Sequence, residues 1–182
     1  MFNLTKIFKF SFIFIFCIGC KTSYKLDALN EKQCSNYRYG IIELKRTLSG
    51  DEKKELENKG LFIQDFLFEN VYQGVWYKKW DKLNLISTPI KKLKVYTLQD
   101  KLSEGIKLSD IKSDNRNCIL LIQSFAPLDE ADLKVYGKLL NQNSSYYRLE
   151  TQYKFLEEIA SHSCIKHISI MKPIQDIPEL KD

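Results

Sequence analysis

Apolar and polar side chains begin to alternate at Tyr37, and residues 37–48 are rich in aromatic and β-branched side chains, which predicts a strand. Ser49 and Glu52 then form a capping-box signature, in which the serine hydroxyl and the glutamate carboxylate each accept from a free amide at a helix start. Gly60 is suited to a left-handed helix stop. We therefore expect a short helix over residues 50–59.

Three further strands and a second short helix complete this first region. Residues 61–68 and 71–77 have strand composition, and the turn at residues 69–70 joins them closely enough for pairing. Residues 80–86 predict a short helix, and residues 90–97 alternate again as a strand. The predicted order of elements is β-α-β-β-α-β.

The same order returns after a polar stretch at residues 99–117. Pro127 and the acidic residues behind it suit a helix N-terminus, and Gly137 suits its end. The predicted elements are a strand at 118–125, a helix at 127–137, strands at 139–142 and 146–151, a helix at 152–162 and a strand at 165–171.

The spacing of these elements indicates an internal repeat. Residues 41–60 overlay residues 119–137 with one residue deleted, and residues 90–95 overlay residues 165–170 without gaps. Self-similarity of this kind indicates two copies of one supersecondary unit. Two unrelated α/β halves that merely look alike are the alternative.

The N-terminus has the layout of a secretory signal. Lys6 and Lys9 are the charged residues of a basic start, and an apolar run at residues 10–19 follows. A membrane-spanning helix needs about 20 apolar residues, and this run is about half as long before Lys21 stops it. We expect residues 1–19 to be a signal peptide and not a permanent transmembrane anchor.

The cleavage region at residues 17–20 resembles the lipobox of bacterial lipoproteins. Gly19 and Cys20 fit that pattern, whereas Cys17 stands where leucine is usual. The resemblance implies acyl chains on Cys20, which would hold the protein on a membrane of the cell envelope. It further implies the outer membrane in a cell with two membranes, because Lys21 is not an aspartate-type retention signal. An ordinary signal peptide, with Cys20 as a plain thiol, is the alternative.

Composition limits the remaining choices. The chain of 182 residues with 44% apolar content is enough for one ordinary domain or two small ones. Loss of Lys6 and Lys9 with the signal lowers the formal net charge from +5 to +3. Lysine and glutamate alternate without clustering, so we expect no nucleic-acid partner.

Cysteine and histidine residues point to no metal or catalytic site. Once Cys17 is removed and Cys20 acylated, Cys34, Cys118 and Cys164 remain, so at most one disulfide can form, and the sequence does not say which. The segment at 162–167 contains both histidines, but alternation places Cys164 and His167 on opposite faces of a strand. We expect no metal and no cofactor.

Four segments resemble the N-terminal propeptide region of subtilisin-like serine proteases. Residues 48–60 match its acidic-capped helix that ends at glycine, and residues 66–72 match a strand pair with an asparagine–aromatic step. Residues 90–102 resemble the closing strand of that family with its Asp-Lys-Leu continuation. In the second repeat, residues 155–170 resemble the final helix and strand. The resemblance covers residues 37–172.

This resemblance implies an α+β fold of two tandem ferredoxin-like βαββαβ units, with helices on one face of each antiparallel sheet. In the family, the other face docks on the protease, and the segment after the last strand lies in the active-site cleft. The partner-binding residues implied here are Tyr72, Trp76, Tyr96, Pro173, Ile174, Ile177 and Leu180. The aromatic residues also suit sheet packing, and the proline-containing tail also suits disorder.

The chain lacks the protease that follows such a propeptide. The glycine-bracketed segments that carry the Ser-His-Asp triad in that family are missing, so we expect no enzyme and no small-molecule substrate. The leading hypothesis is a membrane-tethered module that inhibits or chaperones a subtilisin-type protease in trans. The alternatives are a lipoprotein with a general interaction role and a degenerate remnant of a protease precursor.

The predicted organisation is a signal peptide at 1–19, a lipid anchor and tether at 20–35, a first unit at 36–98, a linker at 99–117, a second unit at 118–172 and a tail at 173–182.

Overall fold

The computed structural model describes Leu29 and residues 31–143 and 145–171. Within these residues, the protein contains two four-stranded antiparallel sheets and several short helices. The predicted α+β class is therefore confirmed. We refer to residues 37–95 as unit 1, to residues 117–171 as unit 2 and to residues 96–116 as the connecting segment.

Unit 1 contains sheet 1, whose strands lie in the order β2-β3-β1-β4. Its elements, preceded by the short helix α1 (Glu31–Cys34), are β1 (Tyr37–Leu44), α2 (Gly50–Asn58), β2 (Leu61–Phe68), β3 (Val71–Tyr77), a 3₁₀ turn (Lys78–Lys82) and β4 (Ile90–Val95). All neighbouring strands in this sheet are antiparallel.

Unit 2 contains sheet 2, whose strand order β6-β7-β5-β8 repeats that of sheet 1. The connecting segment holds a 3₁₀ turn (Gln99–Lys101) and α3 (Leu108–Ile111). Unit 2 then comprises β5 (Asn117–Ser124), α4 (Glu130–Lys134), β6 (Gly137–Asn143), β7 (Tyr146–Gln152), a 3₁₀ turn (Tyr153–Phe155), α5 (Leu156–Ser161) and β8 (Ile165–Met171).

The predicted capping box closes the N-terminus of α2. The backbone N–H of Glu52 donates to Ser49 Oγ at 3.3 Å, and the backbone N–H of Ser49 donates to Glu52 Oε2 at 2.9 Å. A hydrogen bond from Arg46, together with the bond from Ser49, lowers the pKa of Glu52 to about 2. The chain leaves the helix through Gly60, whose φ is 79°. Both ends of this helix were thus predicted correctly from local sequence.

The side chains pack into two cores. The core of unit 1 lies on the helix side of sheet 1 and contains Ile42, Leu61, Trp76 and Trp80. The larger core lies between sheet 2 and its helices, and it continues onto the second face of sheet 1 through Tyr39 and other residues there. Because one continuous core contains side chains from both units, the units form a single packed body.

Three contacts describe the junction between the units. The ring of Phe125 lies on that of Tyr39, with centroids 6.4 Å apart and planes at 26°. The Lys166 ammonium lies 5.5 Å from the centroid of the same tyrosine ring. A disulfide joins Cys34 to Cys164, with the Cα atoms 5.2 Å apart. The second face of sheet 1 is therefore partly covered by unit 2.

The internal repeat is present, but its first strand is offset by two residues from the predicted overlay. In the pairing register, Ile42 lies opposite Tyr72, and Ile122 lies opposite Tyr147. Ile42 therefore corresponds to Ile122, an offset of 80 residues, and not to Leu120. A shift of two residues keeps each side chain on the same face, because the side-chain period of a strand is two. The overlay therefore still pairs residues that lie on the same face of their sheets.

The predicted helix at 127–137 is too long. α4 covers only Glu130–Lys134, and Gly137 begins β6 instead of ending a helix. A Cβ at Gly137 would collide with the backbone carbonyl of Glu150 on β7. This glycine is therefore suited to close strand pairing.

The predicted helices at 80–86 and 152–162 are also shorter than expected. The first is a 3₁₀ turn at Lys78–Lys82. The second divides into a 3₁₀ turn at Tyr153–Phe155 and α5 at Leu156–Ser161. Each element has to span only one end of a four-stranded sheet, and short segments commonly adopt 3₁₀ geometry.

The predicted linker and part of the predicted tether are packed. In the connecting segment, Lys101, Leu102 and Ile111 are buried, and Leu102 forms a parallel bridge with Ile168 at the edge of sheet 2. Cys34, at the end of the expected tether, is also buried. These segments lack long periodic patterns because they pack through isolated side chains.

Candidate functional site

The second face of sheet 2 is the one broad sheet face left open within the described residues. Ile119 and Leu121 on β5 point away from the core residues Leu120 and Ile122, and Met171 lies on the same face of β8. Ile119, Leu121 and Met171 are only partly buried, and they belong to neither core. We call this surface the open face.

Polar residues surround these apolar positions. Arg148 and Glu150 on β7 are exposed, and Ser169 lies between His167 and Met171 on β8. The open face thus combines an apolar centre on β5 with charged residues on the neighbouring central strand β7.

The corresponding face of sheet 1 is different. Tyr37, Tyr39, Phe62 and Val75 on that face are buried in the larger core. Unit 2 therefore occupies much of the surface that the propeptide resemblance assigns to a partner.

The predicted aromatic docking residues do not share a surface. Trp76 is 0% exposed in the core of unit 1, and its indole N–H donates to Asp81 Oδ1 at 2.8 Å. Tyr72 lies on the same helix-side face and contacts Phe66 edge-on, with ring centroids 5.5 Å apart. In the folded protein Trp76 is consequently a core residue.

Tyr96 lies on the opposite face of sheet 1. Its hydroxyl accepts from Gln73 Nε2 at 3.0 Å, and its ring meets that of Tyr39 edge-on at 5.2 Å. The Tyr39 hydroxyl in turn donates to Gln73 Oε1 at 2.8 Å. Burial, together with the nearby Tyr96 and Asp65, raises the pKa of Tyr39. This network holds the aromatic rings at the junction between the units.

The other predicted site residues lie outside the described residues. They are Cys20, Pro173, Ile174, Ile177 and Leu180. Their roles in lipid attachment and partner binding stay predictions.

A polar cleft lies between the units. It has a cavity volume of about 460 Å³, and its lining includes Gln64, Gln123, Ser124, Phe125, Ser145 and Lys166. We call it the inter-unit cleft. Its lining residues come mostly from unit 2, and Gln64 on β2 contributes the wall from unit 1.

Lys166 is a buried residue at the junction that the sequence did not reveal. It is the extra residue of a β-bulge, where Gln123 pairs with His167 but Ser124 pairs with Ile165. Its side chain is only 9% exposed. A lysine within an alternating strand gives no sign of burial at a distant junction, and no local pattern could have found it.

The histidines and cysteines form no metal site in the part of the chain that the structure describes. Cys164 is in the disulfide with Cys34, while Cys118 is a buried free thiol whose pKa burial raises to about 11. His162 lies edge-on to Tyr136, with its Nε2 3.4 Å from the phenol oxygen. Cys164, Cys118 and His162 therefore each contact different residues and do not form a common site.

Ser103 and His167 form the nearest approach to a catalytic pair. Ser103 Oγ lies 3.1 Å from His167 Nε2. Burial and the nearby Lys166 lower the pKa of His167, and no carboxylate among the described residues hydrogen-bonds to its ring. Such a pair lacks the orienting acid and the oxyanion donors of an acyl-transfer site.

Lys101 in the connecting segment is a second buried lysine. Its ammonium donates to the carbonyl oxygens of Ala160 at 2.8 Å and His162 at 3.2 Å, at the C-terminal end of α5. Burial lowers its pKa to about 8. Because a cation is favourable at a helix C-terminus, this lysine attaches the connecting segment to unit 2.

No helix among the described residues is long and apolar enough to cross a bilayer. Comparison of the chain with family models, with curated proteins and with solved structures found no match.

Proposed function

We propose that this protein is a lipid-anchored, non-catalytic binding module, in which both units have the ferredoxin-like βαββαβ topology and unit 2 binds a protein partner through its open face. A subtilisin-type protease, bound in trans and inhibited or assisted in folding, is the partner that the propeptide resemblance indicates.

The observation that carries this proposal is the difference in coverage between the two sheets. Ile119, Leu121 and Met171 lie on a face of sheet 2 outside both cores, whereas the matching face of sheet 1 is partly filled by unit 2. Burial of such an apolar centre by a partner would contribute about 25 cal/mol per Å² of apolar surface removed from water.

The position of the open face also suits the resemblance. β8 is an edge strand of sheet 2 and ends at Met171, after which the sequence continues with residues 172–182. In a propeptide, the docking sheet and the cleft-binding segment belong to one unit. Unit 2 is the unit that offers both.

The test is inhibition of subtilisin-type proteases by the chain from Lys21 onward, which contains every described residue. We expect a stable complex and slowed hydrolysis of a peptide substrate. Leu121→Asp should weaken the complex at least roughly thirtyfold, because a charge would have to be desolvated at the centre of the interface.

Ile41→Asp is the matched control. Ile41 occupies the equivalent central-strand position of sheet 1, since Ile41 lies opposite Gln73 as Leu121 lies opposite Arg148. It should leave binding unchanged if unit 2 alone docks, and thermal unfolding of both variants would check their stability. Absence of inhibition and of a complex with every subtilisin-type protease, including those of the source organism, would refute the protease proposal.

The anchor is tested separately. We expect labelled palmitate to be incorporated into the full chain and to be lost in Cys20→Ala. Attachment there would connect the membrane to unit 2 through a short stretch of chain, because Cys34 is bonded to Cys164 next to β8. Label that persists in Cys20→Ala would show that the attachment site is a different residue.

A further inference from the structure

The ammonium of Lys166 at the inter-unit cleft is held more rigidly than the carboxylate that neutralises it. Lys166 Nζ lies 3.1 Å from Asp65 Oδ2 and 3.3 Å from Gln64 Oε1, and it also lies over the Tyr39 ring. The lysine side chain is 9% exposed, but that of Asp65 is 59% exposed. The cation is therefore fixed in the junction, whereas its partner is at the solvent boundary.

The exposed carboxylate of Asp65 can be exchanged at low cost. Asp65 lies on the edge strand β2, where the pairing with β3 is interrupted between Ile63 and Phe66. If Asp65 turns into water, it regains hydration, but the buried ammonium then needs another anion because an unpaired buried charge is costly. An incoming carboxylate would satisfy that need.

The rest of the cleft supplies further hydrogen-bond donors. No acceptor for Gln64 Nε2 is present among the described residues, and Ser145 lines the same space, while the Ser124 hydroxyl donates to the Ser145 carbonyl oxygen at 3.4 Å. Phe125 provides an apolar wall. A volume of about 460 Å³ is within the range of small-molecule and peptide sites.

We propose that the inter-unit cleft binds a ligand that carries a carboxylate group, with the Lys166 ammonium as its anchor and Asp65 as the group that it displaces. The carboxylate comes either from the C-terminus of a peptide or from an acidic side chain. This site is separate from the open face and does not depend on a protease partner.

The equivalent lysine of unit 1 shows why the site is specific to the junction. Lys91 is the extra residue of the corresponding β-bulge, between the pairs Glu43–Lys92 and Leu44–Ile90. Its side chain is 61% exposed, and its ammonium lies 2.6 Å from Glu43 Oε1. Lys91 therefore has the same local structure as Lys166 without the burial, and it provides a matched control.

The test is a titration of the full chain in detergent with N-acetyl-glycyl-phenylalanine, followed by nuclear magnetic resonance of the backbone amides around the cleft. We expect saturable shifts with this acid and none with its C-terminal amide. Lys166→Met should weaken binding at least about tenfold, and Lys91→Met should leave it unchanged.

Asp65→Asn gives the opposite prediction and keeps the test decisive if Lys166→Met does not fold. Removal of the competing carboxylate should tighten binding about threefold to tenfold. Unchanged or weaker binding by Asp65→Asn, equal binding of acid and amide, or no saturable shifts with any acid probe would overturn the proposal.

A second pair of probes distinguishes the source of the carboxylate. A peptide blocked at both ends with one central glutamate is compared with its glutamine counterpart. Binding of the glutamate peptide alone assigns the cleft to acidic side chains, and binding of N-acetyl-glycyl-phenylalanine alone assigns it to C-termini. Either result supports a carboxylate site, and neither depends on the outcome of the protease experiment.

Discussion

Sheet 1 and sheet 2 share their strand order and registers but differ in what covers their second faces. Tyr39 in sheet 1 is buried beneath unit 2, whereas Ile119, at the matching position of sheet 2, is only partly buried and belongs to neither core. Two units with the same strand order can therefore differ in which sheet faces are buried when one packs on the other. The second face of sheet 1 packs against unit 2, and the second face of sheet 2 is left open among the described residues.

The cores of the two sheets also differ at matched positions. Gly40 lies opposite Gly74 in sheet 1, where sheet 2 has Leu120 opposite Leu149. Large side chains elsewhere compensate in unit 1, because Trp76 and Trp80 are both buried. Core volume is thus supplied by different strand positions, as is expected when total packing density is maintained.

The largest expected effect on stability comes from removing the disulfide between Cys34 and Cys164. Cys34 and Cys164 are 130 residues apart in sequence, and a loop of that length contributes about 5 kcal/mol in the chain-entropy model. We expect Cys34→Ala with Cys164→Ala to lower the free energy of unfolding by several kcal/mol in urea titrations.

Reduction provides the control for that variant. The wild-type protein in reducing agent should unfold at the same urea concentration as the double variant. A decrease of less than about 1 kcal/mol in the free energy of unfolding of the double variant would contradict this prediction. It would mean that packing at the junction, and not the disulfide, holds the units together.

Replacement of the matched core residues Leu149 and Gly74 by alanine should show how the packing of the two cores differs. Leu149 is 0% exposed, so Leu149→Ala should cost about 3 kcal/mol through the cavity it leaves. Gly74→Ala should cost about 1–3 kcal/mol by overpacking, because its new methyl group would meet Ile42 Cδ1 and the carbonyl oxygen of Phe62. Denaturant unfolding measures both, and a neutral Gly74→Ala would show that sheet 1 can relax there.

The pH dependence of stability tests the attachment of the connecting segment. Because the pKa of Lys101 is lowered to about 8 in the folded state, the unfolded chain binds more protons between about pH 8 and 10.5. The contribution of Lys101 therefore makes the free energy of unfolding rise with pH across that window, by up to about 3 kcal/mol.

Lys101→Met should remove this rise, and Lys91→Met should retain it because Lys91 is exposed. Urea unfolding at several pH values between 7.5 and 10.5 measures the difference between the variants. Parallel curves for wild type and Lys101→Met would mean that Lys101 does not titrate differently in the folded protein.

The smallest expected effects concern the two equivalent helix caps. Asp129 accepts from the backbone N–H of Ala131 at 2.9 Å, and Ser49 accepts from that of Glu52. Ser49→Ala and Asp129→Ala should each cost about 1 kcal/mol, with the larger loss in unit 1 because α2 has a complete capping box. Thermal unfolding compares them, and a larger loss for Asp129→Ala would contradict the ranking.

Local sequence predicted the strands well because each one has its own side-chain alternation. β2 and β3 have the predicted bounds of 61–68 and 71–77, and the turn between them contains Glu69 with a φ of 44°. The helices were predicted less well, since segments as short as α4 have too few turns to show a helical period.

The candidate sites were predictable only in part. The apolar residues Ile119 and Leu121 were recognised as strand residues, but the sequence could not indicate which sheet would be covered. Both sheets have alternating strands with two faces, and their coverage depends on contacts between distant residues.

The sequence by itself determined the α+β class, the repeated order of elements and the caps of α2. These features depend on side-chain periodicity and on residues close together in the chain. The tertiary structure decided the pairing of Cys34 with Cys164, the burial of Lys101 and Lys166 and the covering of sheet 1. Each of these depends on residues brought together from distant parts of the chain, and no local pattern records such a contact.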